Sequence, residues 1–90
     1  MINIYKEAYD EEWPQYFDKL DNSTKERVAK KISKILEFPK KRHLSHRARF
    51  FVDEVGQHRI LYRVFDETNE VRFYFVGNHK EYEAWYKQFF

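Results

Sequence analysis

The sequence contains no cysteine, so neither a disulfide nor a thiolate metal site can hold its fold together. It has two glycines and two prolines in 90 residues, which leaves little material for long flexible loops. No apolar run approaches the roughly 20 residues that span a bilayer. The opening MINIYKEAYDEE reaches acidic residues before the apolar core of a secretory signal can form. A soluble cytoplasmic protein with no membrane partner is the expectation. A glycine-rich phosphate loop is also missing. Ser23, Ser33 and Ser45 do not sit in a nucleophile elbow. His43 and His46 have no cysteine nearby, and the carboxylates do not cluster at ligand spacing, so no metal and no other cofactor is expected.

What is present is aromatic. Ninety residues are expected to form one domain, spanning 1–90, and a chain this short buries only about 60% of its unfolded surface. Nine Phe, seven Tyr and two Trp supply the apolar area that so small a core needs. The net charge of +2 hides an asymmetry. Residues 7–21 carry Glu7, Asp10, Glu11, Glu12, Asp18 and Asp21 against Lys19 alone. Residues 39–52 carry Lys40, Lys41, Arg42, Arg47 and Arg49 with no acid, and such a block attracts polyanions.

The apolar period changes along the chain. INIY alternates and reads as a short first strand. Tyr9, Trp13, Tyr16, Phe17 and Leu20 recur at helical spacing, and Pro14 fits only in a first turn, so a helix starts near residues 10–13. Ser23 and Glu26 form a capping-box pattern opening a second helix with Val28, Ile32, Ile35 and Leu36 on one face; Pro39 ends it. ARFFVDEV, HRILYRVF and VRFYFVG read as three strands, with Gly56-Gln57 as a type II′ turn between the first two. Short links make them an antiparallel meander. Asn78 and Glu81 cap a last helix, whose Tyr82, Trp85, Tyr86 and Phe89 share a face. The fold class is α+β, ordered β-α-α-β-β-β-α. A helical hairpin packs on the sheet, and the C-terminal helix lies near its edge.

With VGQHRILYRV and VGNHKEY in its second half, this order resembles the RelE/ParE superfamily of toxins from toxin–antitoxin pairs. FVGNHKEYE is also similar to the matching part of HigB-type toxins. The RelE-like branch implies an endoribonuclease, an mRNA interferase that needs no metal and cuts messenger RNA, typically on the ribosome, to inhibit translation. A cognate antitoxin wraps and blocks it, in a toxin–antitoxin hetero-oligomer. The ParE branch implies a poison of DNA gyrase instead. A third reading is an inactive RNA- or antitoxin-binding homologue.

Metal-free RNA cleavage needs a proton taken from the ribose 2′-hydroxyl, charge stabilisation at phosphorus and a proton for the leaving 5′-oxygen. Arg59 matches the family's strand arginine, and its guanidinium presents a planar fork to phosphate. His79 follows the family's VG, and imidazole titrates near neutral pH. Tyr82, with Tyr86 as its rival, is placed to stack on a base or donate its hydroxyl. A two-residue turn at Gly56-Gln57 puts Glu54 opposite Arg59, as general base or as ion-pair partner. The family's second-strand lysines and arginines are replaced: that register puts Ala48, Phe50, Val52 and Glu54 there, and only a bulge would turn Arg49 inward. Contacts to RNA are then expected from Lys40, Lys41, Arg42, Arg47, Arg49 and Arg63, in a groove made by the basic segment and the sheet face away from the hairpin. Exposed aromatics such as Tyr82, Trp85 and Phe89 are expected to anchor the antitoxin.

Overall fold

Most changes of apolar period become element boundaries in the computed structural model, which describes residues 4–39 and 50–88. The elements are β1 (Lys6–Tyr9), α1 (Trp13–Phe17), α2 (Asn22–Glu37), β2 (Phe51–Val55), β3 (His58–Phe65), β4 (Glu70–Asn78) and α3 (His79–Lys87). The sheet order is β1-β4-β3-β2. The β2–β3–β4 meander is antiparallel as expected, and β1 joins the far edge parallel to β4, so the sheet is mixed.

Of INIY, Ile2 and Asn3 lie outside the described residues, and Ile4 and Tyr5 precede the strand, which begins at Lys6. The Tyr5 amide donates to the Leu36 carbonyl at 3.0 Å, at the end of α2, and only from Lys6 does the backbone turn to β4 and the Asn69 carbonyl beside it. Pro14 stands in the first turn of α1, where its missing N–H has no partner to lose. The α2 cap is Asp21 rather than Ser23: its Oδ1 accepts from the Thr24 amide at 2.7 Å. An aspartate caps as well as a serine, and its charge complements the positive end of the helix dipole. The α2 stripe is as read, with Val28, Ile32, Ile35 and Leu36 all buried, and the helix stops two residues before Pro39.

Alternation along the strands gives the sheet two apolar faces. Ile60, Tyr62, Val71 and Phe73 face α2, together with Trp13 of α1. Leu61 and Phe75 face the other way, beneath Tyr82 and Trp85 of α3. So α3 covers the face opposite α2 instead of lying at an edge. A register shift at Leu61/Tyr62 lets Tyr74 and Phe75 both pack on the α3 side. The buried Tyr62 hydroxyl donates to the Pro39 carbonyl at 2.8 Å, tying mid-sheet to the exit of α2.

Candidate active site

The β2–β3 hairpin closes on Gly56 with φ +58°, and no left-handed residue follows it, as a glycine-first turn requires. That turn sets the register Val55↔His58 and Glu54↔Arg59. On the next strand Arg59 lies opposite Gly77. A carboxylate, a guanidinium and a glycine thus form one row across β2, β3 and β4. Two residues beyond Gly77 comes His79, the first residue of α3. Glu54, Arg59 and His79 line a single cleft of about 480 Å³, joined by Gln57, His58 and Lys80.

The glycine in this row has a local reason. A Cβ at Gly77 would stand 2.6 Å from Phe75 Cζ and 2.9 Å from Glu81 Oε1. That Glu81 oxygen accepts from the Asn78 amide at 2.8 Å, while the Asn78 side chain accepts from the Glu81 amide at 2.9 Å. The expected capping box is therefore complete, and it fixes where His79 leaves the sheet.

Arg59 is held from below. Its guanidinium carbon lies 4.7 Å from the centroid of the Tyr82 ring, a cation–π contact, and Tyr82 stacks on Tyr86 at 6.0 Å. Burial pushes the Tyr82 phenol above its ordinary pKa, while the Arg59 charge and hydrogen bond pull it the other way. Tyr82 is only 7% exposed, so it serves as a platform for Arg59 rather than a surface for an incoming base. His79 is held from the side: its Nε2 lies 3.0 Å from Glu83 Oε1, one helical turn on, with both groups over half exposed. With Nε2 engaged by the carboxylate, Nδ1 is the ring nitrogen left to another partner.

The structure brings Glu54, Arg59, His79 and Tyr82 together. Arg63 shares the α3 face with Arg59, four residues along β3. Lys40, Lys41, Arg42, Arg47 and Arg49 lie outside the described residues. Phe50 and Val52 stand on the α3 face as the strict register required, packed against the cluster of Leu61, Phe75, Tyr82 and Trp85. The reading of Tyr82 and Trp85 as exposed anchors is overturned: both are buried, because α3 spends its aromatic stripe on the second sheet face. Phe89 lies outside the described residues. Sequence reasoning passed over His58 and Lys80, whose only signal was adjacency to Arg59 and His79. It also passed over Glu83, which the i, i+4 spacing from His79 would have revealed.

No protein-family model and no curated protein sequence matches the chain. Solved structures do. A chain of the intact E. coli RelBE toxin–antitoxin complex aligns at 26% identity and a TM-score of 0.75, over 82% of this chain and 95% of that one. A chain of the Mycobacterium tuberculosis toxin–antitoxin complex RelBE2 aligns at 20% identity and 0.78, over 88% and 95%. The isolated E. coli RelE toxin aligns at 24% identity and 0.75, over 96% and 99%.

Proposed function

We propose that this chain, which is RelE-like in fold, is the toxin of a toxin–antitoxin pair and acts as a metal-independent endoribonuclease on messenger RNA during translation. The observation that carries the reading is the row across β2, β3 and the start of α3: Glu54 and His79 flank Arg59 in one cleft. A diester seated on Arg59 has a carboxylate on one side and an imidazole on the other.

In the proposed reaction Glu54 takes the proton of the 2′-hydroxyl, whose oxygen attacks the adjacent phosphorus. Arg59, with Lys80 beside it, stabilises the charge that develops on the non-bridging oxygens. The P–O5′ bond breaks, and His79 delivers its Nδ1 proton to the leaving oxygen. The products are a 2′,3′-cyclic phosphate and a 5′-hydroxyl. Tyr82 is a positioning residue, keeping the guanidinium in plane over its ring. Glu83 plays the same part for His79.

The toxin role draws support from the structural neighbours that are toxin–antitoxin complexes. A cognate antitoxin is the proposed partner, in a hetero-oligomer, with the ribosome presenting the messenger RNA. Among the described residues no helix is long and apolar enough to cross a membrane, and a cytoplasmic site of action follows from the substrate. Brief expression, with messenger RNA ends and plasmid supercoiling mapped in the same cells, tests the proposal. Codon-phased RNA ends are expected. Altered supercoiling with double-strand breaks would point to a gyrase poison of the ParE kind, and neither change to an inactive binding homologue.

A further inference from the structure

The α3 face also carries a pair of guanidinium groups. Arg63 and Arg72 stand directly opposite each other on β3 and β4. Like charges in that relation destabilise a sheet unless something answers them. Glu70 answers one, with Oε2 3.0 Å from Arg72 Nη2. Among the described residues the buried Arg72 Nε has no hydrogen-bond partner. Among the described residues Arg63 meets no carboxylate within ion-pair distance; its guanidinium lies 5.9 Å from the Phe50 ring centroid and 5.0 Å from that of Phe65. Beside it opens a cavity of about 420 Å³ lined by Arg63 itself with Phe50, Tyr74, Trp85, Asp10 and Glu12; Arg72 adjoins it as the strand neighbour of Arg63.

We infer that this cavity is a subsite for one nucleotide of single-stranded RNA flanking the scissile bond. The inference rests on the nuclease reading above for its substrate. The phosphate sits on the Arg63–Arg72 pair, and the base stacks on the part-exposed rings of Phe50 and Tyr74, as aromatic and guanidinium planes take unstacked bases elsewhere. Asp10 and Glu12 repel a phosphate but accept from an exocyclic amino group. The charges therefore orient the nucleotide, with the edge of its base toward Asp10 and Glu12, and favour adenine, cytosine or guanine over uracil. Arg63 lies four residues from Arg59 on the same face, about 13 Å at strand rise. The two centres fit a short strand of a few nucleotides rather than a dinucleotide.

The test is anisotropy titration of fluorescein-labelled oligoribonucleotides of two and six nucleotides, with the hexamers either all-uridine or adenosine-containing. The wild type is expected to bind the adenosine-containing hexamer about tenfold tighter than the dimer, the value of one charged contact. Arg63→Gln should erase that advantage and flatten the log–log salt dependence by about 0.7. Arg72→Gln should do the same, and Arg63→Gln, which orphans no carboxylate, suffices if Arg72→Gln does not fold. A hexamer advantage unchanged in a folded Arg63→Gln protein overturns the subsite, and so does equal affinity for both hexamers. Cleavage by Arg59→Ala is measured in parallel. Full cleavage there with a lost hexamer advantage in Arg63→Gln removes the active-site reading and leaves the subsite standing.

Discussion

Arg59 is where the structure allows the sharpest separation of chemistry from stability. Removing a preorganised donor from a developing oxyanion costs about 10²–10³ in rate, or roughly 2.7–4 kcal/mol. Arg59→Ala also removes the contact to Tyr82, and a cation–π pair is worth about 0.5–2 kcal/mol. Small domains hold about 5–15 kcal/mol of stability. Even the low end, less the largest cost, leaves about 3 kcal/mol and an unfolded fraction below about 1%. Unfolding therefore accounts for no measurable share of a hundredfold loss. Arg59→Lys keeps the charge and loses the planar fork, so its rate should fall between the other two. Tyr82→Phe keeps the ring under Arg59 and should retain most activity, whereas Tyr82→Ala removes the platform and should not. The assay is single-turnover messenger RNA cleavage in a translating extract, with the thermal midpoint of each variant recorded beside it. A folded Arg59→Ala protein keeping more than a tenth of wild-type cleavage refutes the assignment. Equal loss in Tyr82→Phe and Tyr82→Ala would move Tyr82 from positioning to proton transfer.

Asp21 has its carboxyl held below the ordinary range, chiefly by the hydrogen bonds from Thr24, so the folded state releases this proton more readily than the unfolded chain. Its contribution is present above the unfolded pKa and lost as pH falls through the folded one. Asp21→Asn, which still caps, should flatten the acid limb of a urea-midpoint-against-pH curve, and an unchanged limb would contradict the linkage. Gly77→Ala drives a methyl into Phe75 and Glu81, an overpacking worth about 1–3 kcal/mol, and calorimetry should show a lowered midpoint. A neutral substitution would mean that the Glu81 arm moves freely. Tyr62→Phe leaves the buried Pro39 carbonyl without its donor and should cost about 1–3 kcal/mol in denaturant titration, where no change would show the bond to be idle.

The pattern of residues was enough to settle much of this protein. Period 3.6 in α2 and α3, the Gly56 turn and the Asn78 capping box are local, and they set the Glu54↔Arg59 register before any tertiary contact is considered. Where two local solutions compete, pattern does not choose: Asp21 and Ser23 both cap well, and only the packed helix shows which residue accepts from the chain. Long-range pairing is invisible to periodicity, so the parallel seat of β1 beside β4 came only with the fold. The same holds for the stripe on α3. Its spacing announced an apolar face but not whether that face meets solvent, a partner or the second side of the sheet, because burial is decided by what lies opposite. Tertiary structure placed Tyr82 of α3 under Arg59 of β3, and the register shift at Leu61/Tyr62 set Arg63 against Arg72 on the neighbouring strand.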